Sequence, residues 1–315
     1  MNPSLSLALT AALAFATLPV SGQPAPPPSQ RPARTPNPPP GAHVLRNLQY
    51  IPGGHERQML DLYLPQNGGD NLPLIIWIHG GAWRAGSKDK CPAARFASRG
   101  YAVASVNYRL SQHAVFPAQI QDCKAAIRWL RAHAAAYHLD PNRFGAWGSS
   151  AGGHLVALLA TTGGVAEFDH GPHTNVSSRV QAAVDFFGPT DLLLMGAQSG
   201  PNSRMDHDAP DSPESLLVGA PVQDNQDKAR RASPITYVTP DDAPMLLVHG
   251  DADPLVPHQQ SILLHDALKK AGVEAKLHIV KGGGHGSGFG AEVQELVRDF
   301  FDQHLRPRAA AATAP

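Results

Sequence analysis

The chain has 315 residues, and its 26 lysine and arginine residues balance 26 aspartate and glutamate residues. A formal net charge of zero provides no overall positive field, so the composition excludes a general binder of nucleic acid or other polyanions. Hydrophobic residues make up 42% of the chain and charged residues 17%, which excludes disorder over most of the length and suffices for a packed core.

The N-terminus has the composition of a secretory signal followed by a tether. Residues 5–18 form an uninterrupted apolar and small-residue run, shorter than the roughly 20 residues that a membrane span needs. Val20 and Gly22 stand at −3 and −1 of a cleavage point before Gln23, which predicts a signal peptide over 1–22, with a buried helix as the alternative. Nine of the 19 residues in 23–41 are proline, which predicts a disordered linker.

These segments define the expected organisation of the chain. We expect a folded domain over 42–306 and a disordered tail over 307–315. We also expect the protein to be secreted or periplasmic, with no stable membrane insertion of the mature chain.

From residue 43 onward, strand-like and helix-like segments alternate. Apolar and β-branched runs predict eight strands, at 43–51, 58–65, 73–79, 102–108, 143–148, 181–187, 244–249 and 275–280. Helical periodicity predicts helices at 92–99, 117–137, 151–161, 258–272 and 291–305. This alternation predicts an α/β fold, with a mostly parallel, twisted eight-stranded sheet and helices on both faces. The stretch 191–230 breaks the rhythm and is expected to be a small lid or insertion over the C-terminal edge of the sheet.

The nucleophile candidate lies where the fifth predicted strand meets the helix 151–161. The sequence there is Gly148-Ser149-Ser150-Ala151-Gly152, a G-x-S-x-G pattern between strand and helix. Glycines beside the serine permit a turn this sharp, and the helix N-terminus directs its N–H groups at the reacting oxygen. Only Ser150 has glycine at both −2 and +2, because Ser149 has Trp147 at −2. We therefore predict that Ser150 is the nucleophile.

A serine hydroxyl needs a general base, and His285 is the candidate. It lies in a glycine-rich stretch, KGGGHG at 281–286, directly after the last predicted strand. Gly286, Gly288 and Ala291 also satisfy a nucleotide-binding G-x-G-x-x-A pattern. That alternative is disfavoured, because the pattern does not lie in a first strand-to-helix turn and no acidic ribose ligand follows.

A carboxylate must orient the imidazole and stabilise its cation. Asp251 and Asp253 both follow the strand 244–249, and Asp253, a turn beyond the strand end, is favoured. The order Ser150, Asp253, His285 is that of the α/β-hydrolases and differs from the chymotrypsin and subtilisin orders.

Donors for an oxyanion are predicted after the strand 73–79, which ends in HGGAW at 79–83. The backbone N–H groups of Gly81 and Ala82, with that of Ala151, are the candidates. His79 is interpreted as a brace of this loop rather than a reacting group.

Histidine and aspartate residues, the side chains that bind metals, also occur near one another in the loop-like stretches. His170, His173 and His207 fall in loop-like stretches with Asp169, Asp206 and Asp208. A metal site is the alternative there, but the composition favours a solvated loop, so we expect no metal.

Taken together, these motifs resemble those of the α/β-hydrolase superfamily. Within that superfamily the chain resembles the HGGG-type esterases related to hormone-sensitive lipase, and most closely the secreted acetylxylan and feruloyl esterases. The motifs that carry the resemblance span residues 43–305: HGGAW at 79–83, NYRLS at 107–111, FPAQIQDCKAAIRWLR at 116–131, GSSAGGHL at 148–155 and HGDADPLVP at 249–257. The resemblance implies catalytic roles for Ser150, Asp253 and His285, an oxyanion hole at Gly81, Ala82 and Ala151, and structural roles for Tyr108 and Arg109. Ala82 departs from the motif, which often has glycine there.

The predicted function is serine carboxylic-ester hydrolysis through an acyl-enzyme on Ser150, without a cofactor. The expected partner is a small-molecule ester or one linked to a polysaccharide, such as an acetyl or feruloyl ester. An arylformamidase-like amidase with the same triad is an alternative, since only pocket shape separates the two. A catalytically inactive binding module is the other alternative, but it predicts loss of a triad member, and all three positions are filled.

Cys91 and Cys123, the two cysteines, are expected to remain unpaired. In the strand order of the resembled superfamily, the crossovers before and after the strand 102–108 run in opposite directions. Right-handed crossovers then place their helices on opposite faces of the sheet, beyond the roughly 7 Å between Cα atoms that a disulfide allows. Cys123 is expected on a buried stripe with Ile120 and Ile127.

Overall fold

A computed structural model describes residues 39–306 of the chain. The predicted signal peptide, all but the last three residues of the linker and the tail 307–315 lie outside the described residues. Within them, eight strands form a single sheet in the order β1-β2-β4-β3-β5-β6-β7-β8. The strands are β1 (Ala42–Gln49), β2 (Met59–Pro65), β3 (Leu72–Ile78), β4 (Ala102–Val106), β5 (Leu139–Ser149), β6 (Ala182–Phe186), β7 (Met245–Gly250) and β8 (Ala275–Val280).

The sheet is antiparallel only at its β1–β2 and β2–β4 pairings, and the remaining neighbours are parallel. All eight predicted strands are therefore present, with ends shifted by at most four residues. The expected α/β class with a mostly parallel sheet is confirmed.

Helices connect the parallel strands. The α-helices of the described part are α1 (Ala118–Ala132), α2 (Ala151–Thr161), α3 (Met195–Gln198), α4 (Pro213–Val218), α5 (Gln226–Ala232), α6 (Gln259–Lys270) and α7 (Ala291–Leu305). Short 3-10 helices lie at Pro92–Arg99, Ala135–Tyr137, Ala166–Phe168, Gln223–Asn225 and Pro234–Tyr237. None of the helices in 39–306 is long and apolar enough to cross a bilayer.

Two helix predictions needed correction. The segment 92–99 is a 3-10 helix, which Gly100 ends with φ +81°. The predicted helix 117–137 stops at Ala132, because the chain must turn into β5: the N–H of Leu139 donates to the carbonyl of Ala134 at 2.8 Å.

The core has two halves, one on each face of the sheet. Successive residues of a strand point to opposite faces, and all of β3 is buried. Leu74, Ile76 and Ile78 therefore pack with α1 and α2 on one side, whereas Ile75 and Trp77 pack with α7 on the other. Burial on both faces explains why this strand is apolar throughout.

The cysteines lie on opposite faces, as the strand order predicted. Cys123 is buried in the half of the core that includes Ile120 and Ile127, and Cys91 packs against the other half. Both are free thiols in the structure.

The stretch 191–230, between β6 and β7, is ordered into short helices that pack on the domain. Its apolar residues Leu192, Met195, Leu217 and Val222 are fully buried. The helices α3 and α4 have four and six residues, too few to show a helical period in the sequence.

Candidate active site

Ser150 occupies the sharp turn between β5 and α2. Its backbone has φ 55° and ψ −125°, a strained conformation for a residue with a side chain. The turn is held by its N–H, which donates to the carbonyl of Phe186 on β6 at 2.8 Å. A Cβ at Gly148 would lie 2.3 Å from the carbonyl oxygen of Gly152, and one at Gly152 would lie 2.1 Å from that of Ile78. The glycines flanking Ser150 are thus required by close backbone approach.

His285 and Asp253 are brought together across 32 residues of sequence. Nδ1 of His285 lies 2.7 Å from Oδ2 of Asp253, while Oδ1 of Asp253 accepts the N–H groups of Leu255 and Val256 at 2.8 and 3.0 Å. Burial favours the neutral acid, but hydrogen bonds from His249 and His285 outweigh it and hold the pKa of Asp253 well below its usual range. Asp253 is therefore a carboxylate, positioned to fix the imidazole of His285.

The loop after β3 has an unusual backbone. Gly81, Ala82 and Trp83 have φ values of 117°, 53° and 55°, which lie in the left-handed region. The carbonyl of Gly81 accepts the N–H groups of Arg84 and Ala85 at 3.0 and 2.9 Å. These bonds hold the loop in place. Residues 81 and 82 both line the cavity, so their backbone N–H groups can donate hydrogen bonds to a ligand there.

His79 supports this loop from beneath. Its ring nitrogens lie 2.8 Å from the carbonyl oxygen of Gly80 and 3.1 Å from Nη2 of Arg57, and its ring stacks on that of Tyr108 at 4.5 Å. Because Arg57 can only donate, Nε2 of His79 accepts and Nδ1 carries the proton. Burial lowers the pKa of His79 to about 4, so the ring is neutral. These contacts agree with the interpretation of His79 as a brace.

A second histidine links the loop to α2. The indole N–H of Trp83 donates to Nδ1 of His154 at 3.2 Å, and Nε2 of His154 lies 2.7 Å from the carbonyl oxygen of Ala232. The tautomer is therefore fixed, with the proton on Nε2. No local sequence pattern predicts this contact, since Trp83 and His154 are 71 residues apart.

Five of the six predicted site residues line one cavity of about 460 Å³: Gly81, Ala82, Ser150, Ala151 and His285. Asp253 lies behind His285, with a fully buried side chain. The remaining wall is mostly apolar and includes Phe187, Pro189, Met205, Leu255 and Val256. The cavity thus places a serine, an imidazole held by a carboxylate, and free backbone N–H groups around one space.

Residues 60–268 match the family described as BD-FAE. The chain belongs to this family. The BD-FAE chain is also 33% identical over 251 residues to the esterase LipQ of Mycobacterium tuberculosis, a match that covers 72% of this chain and 57% of LipQ. It spans about half the length of the curated relatives that it matches.

Two solved structures extend the comparison. A carbohydrate esterase from gut microbiota, solved in truncated form, is 37% identical and superposes with a TM-score of 0.76, covering 83% of this chain and 95% of that one. Esterase Est2 of the planctomycete Thermogutta terrifontis is 27% identical with a TM-score of 0.65, covering 86% of this chain and 96% of that one. The resemblance to α/β-hydrolase esterases is confirmed.

Sequence reasoning did not single out His249, which lies behind Asp253 at the end of β7. Its Nε2 is 3.3 Å from Oδ2 of Asp253 and 3.0 Å from the carbonyl oxygen of Val256, and its Nδ1 is 2.7 Å from Oγ of Ser261. Burial lowers the pKa of His249, so the ring is neutral and supports the carboxylate by hydrogen bonding.

The interpretation of the histidine-rich stretches as solvated loops is wrong for His207, whose side chain is buried. His207 is paired with Glu214, and Asp169 forms ion pairs with Lys124 and Arg128, whose side chains are fully buried. Burial of cations requires such a partner. No group of three or more potential metal ligands occurs among residues 39–306.

Proposed function

We propose that this BD-FAE protein hydrolyses carboxylic esters through an acyl-enzyme on Ser150. The observation that carries the proposal is the convergence of Ser150, the His285–Asp253 pair and the loop 81–82 on one cavity. The curated relatives are named esterases and carboxylesterases, which supports the same reaction type.

In the acylation step, Oγ of Ser150 attacks the ester carbonyl carbon while Nε2 of His285 accepts its proton. The C=O electron pair moves onto oxygen, and the N–H groups of Gly81, Ala82 and Ala151 stabilise that oxyanion. When the tetrahedral intermediate collapses, the ester C–O bond breaks and His285 returns the proton to the leaving alcohol. Asp253 stabilises the imidazolium throughout and remains a carboxylate.

In the deacylation step, water replaces the alcohol. His285 accepts a proton from water, and the resulting hydroxide attacks the acyl carbon. Collapse of this second intermediate releases the carboxylic acid and restores the Ser150 hydroxyl. The reaction thus consumes one water and one ester, and it needs no cofactor.

The acyl groups that we propose are short or aromatic, such as acetyl or feruloyl, on polysaccharides or on other small esters. A cavity of about 460 Å³ with an apolar wall supports acyl groups of that size. The gut-microbiota relative at 37% identity, a carbohydrate esterase, supports a sugar-linked alcohol.

A substrate panel tests the proposal. Rates are measured with p-nitrophenyl acetate, p-nitrophenyl butyrate, methyl ferulate, acetylated xylo-oligosaccharides and an N-formyl arylamine, for the wild type and Ser150→Ala. We expect hydrolysis of esters by the wild type and an acyl adduct on the peptide that contains Ser150 in acid-quenched samples. Cleavage of the N-formyl arylamine without hydrolysis of any ester would instead identify an amidase.

We also propose that the protein is exported, since residues 1–22 have the pattern of a signal peptide. Expression of the full chain in a bacterial host tests this. We expect mature protein in the periplasm or medium with Gln23 as its first residue, and retention of Met1 on cytosolic protein would contradict it.

A further inference from the structure

A buried acid–base pair that the proposed mechanism does not use lines the wall of the catalytic cavity. It consists of His207 and Glu214, both in the stretch 191–230. Nδ1 of His207 lies 3.1 Å from Oε1 of Glu214, and their side chains are only 1% and 3% exposed. Both residues line the same cavity as Ser150 and His285.

Each member of the pair has a second polar atom that makes no hydrogen bond of normal geometry with residues 39–306, although the backbone carbonyl of Leu255 lies near enough to His207 to help raise its pKa. These atoms are Nε2 of His207 and Oε2 of Glu214, and both are buried. An unsatisfied buried polar group destabilises a fold, and a charged one does so more strongly. The helix α4 does not need Glu214 as its cap either, because Oγ of Ser212 accepts the N–H of Ser215 at 3.0 Å. Folding alone therefore does not account for the pair.

The chemistry of the two atoms defines what would satisfy them. Burial works to lower the pKa of His207, but the hydrogen bond and the charge of Glu214 raise it above its usual value. The raised pKa favours the imidazolium form of His207, which has an N–H donor at Nε2, and Oε2 of Glu214 is an acceptor. A hydroxyl group both accepts and donates, so a single hydroxyl can satisfy both atoms. A methylene group at the same place leaves both unpaired.

The pair lies on the cavity wall that adjoins the loop carrying Asp253. The backbone N–H of Arg204 donates to the carbonyl of Pro254 at 2.8 Å, so the segment that carries His207 docks on the loop that carries Asp253. Asp253 in turn holds His285, the group that protonates the leaving alcohol in the proposed function.

We propose that His207 and Glu214 form a hydroxyl-binding subsite, and that the enzyme therefore selects esters whose alcohol part carries a free hydroxyl beside the ester, as in partly acylated polyols and sugars. This inference rests on the proposed function. Loss of the polar contact leaves buried groups unpaired in the complex, which is why a site of this kind discriminates against the deoxy analogue.

Two matched esters test the subsite: trans-2-acetoxycyclohexanol and cyclohexyl acetate, which differ by one hydroxyl. The value of kcat/KM is measured for each and corrected for its rate of alkaline hydrolysis. We expect the wild type to favour the hydroxylated ester by about 10-fold to 100-fold, since a hydrogen bond to a charged group is worth about that factor. Glu214→Gln keeps the shape of the side chain and should reduce the preference about tenfold, and His207→Gln should do the same.

Glu167→Gln is the matched control, because Glu167 is exposed and its ion pair with Arg231 lies outside the cavity lining. This variant should keep the wild-type preference. A wild-type preference near one overturns the inference whatever the variants do. Unchanged preference in Glu214→Gln and His207→Gln, with the wild-type melting temperature, overturns it as well. Failure of the wild type to hydrolyse either ester or p-nitrophenyl acetate would instead refute the proposed function.

Discussion

Nδ1 of His285 lies 2.7 Å from Asp253, whereas the carboxylate of Asp251, two residues earlier, accepts the backbone N–H of Gly282 at 2.6 Å. The two aspartates of this loop thus have different hydrogen-bond partners and different structural roles. Asp253 faces the imidazole from a fully buried position, and Asp251 fastens the glycine-rich stretch that carries His285.

This difference predicts that Asp253→Asn is far more damaging than Asp251→Asn. An amide at 253 favours the wrong imidazole tautomer and removes stabilisation of the cation, so kcat should fall on the order of 10⁴-fold. Asp251→Asn should lose less than about tenfold, because an amide oxygen still accepts from Gly282. Steady-state rates with p-nitrophenyl acetate measure both. Equal losses in two variants of native stability would leave the choice of Asp253 unsupported.

The strained turn at Ser150 predicts which of the two adjacent serines reacts. Ser150→Ala should lower kcat about 10⁴–10⁶-fold and leave the melting temperature close to that of the wild type. Ser149, the last residue of β5, is the matched control, and Ser149→Ala should keep most of the activity. Retention of activity by Ser150→Ala together with loss in Ser149→Ala would reassign the nucleophile.

Short sequence segments predict those parts of the fold and of the site that depend on local patterns. The strands of the sheet are short apolar runs, and α2 and α7 match their predicted bounds because each has a clear start and stop. The order of Ser150, Asp253 and His285 follows from motifs that each lie at the end of a strand. Local patterns were therefore sufficient for these elements.

The contacts that the sequence did not predict join residues far apart in the chain. Arg57 reaches His79 across 22 residues, and the indole of Trp83 reaches His154 across 71. The burial of His207 likewise depends on how the stretch 191–230 packs on the domain. The composition of that stretch, with its prolines and charged residues, does not predict this packing. Contacts of this kind can be identified only once the strand order is known, because the strand order determines which loops are neighbours.

Gly152 provides a test of the close approach between α2 and the loop after β3. Alanine is usually favoured over glycine inside a helix, but a Cβ at 152 would lie 2.1 Å from the carbonyl oxygen of Ile78. We expect Gly152→Ala to destabilise the fold by about 1–3 kcal/mol and to lower kcat, because the backbone near Ser150 must shift. Chemical denaturation and ester hydrolysis measure the two effects.

Gly69 offers the control for this substitution, since a Cβ there meets nothing within 4 Å. Gly69→Ala should change stability by no more than about 0.5 kcal/mol. If Gly152→Ala is as stable and as active as Gly69→Ala, the close packing of α2 against β3 is wrong.

The opposite placement of Cys91 and Cys123 predicts two free thiols per chain. Burial raises the pKa of both thiols, that of Cys91 to about 12, so both should react slowly in the native protein. Titration of the denatured, unreduced protein should find both. No thiol in a protein of monomeric mass would contradict the strand order on which the prediction rests.

Asp185, on β6 beside the turn of Ser150, predicts a pH dependence of stability. Its side chain is buried, Oδ1 accepts the N–H of Gly188 at 2.9 Å, and Oδ2 has no partner among the described residues. Burial raises the pKa of Asp185 to about 7, against the opposing hydrogen bond from Gly188. Because the folded pKa lies above the unfolded one, the stability that the protonated form provides is complete only below the unfolded pKa of about 4. It is lost progressively as the pH rises from there through the folded pKa of about 7.

Asp185→Asn removes this titration and keeps the acceptor for Gly188. The free energy of unfolding of the variant relative to the wild type should therefore rise between pH 4 and 8, by up to about 4 kcal/mol, and level off above. Urea denaturation followed by circular dichroism at several pH values measures it. Asp224→Asn, at an exposed position, is the control and should show no such trend. A constant difference between Asp185→Asn and the wild type from pH 4 to 8 would mean that Asp185 is ionised in the fold throughout, and that β6 carries a buried charge beneath the nucleophile.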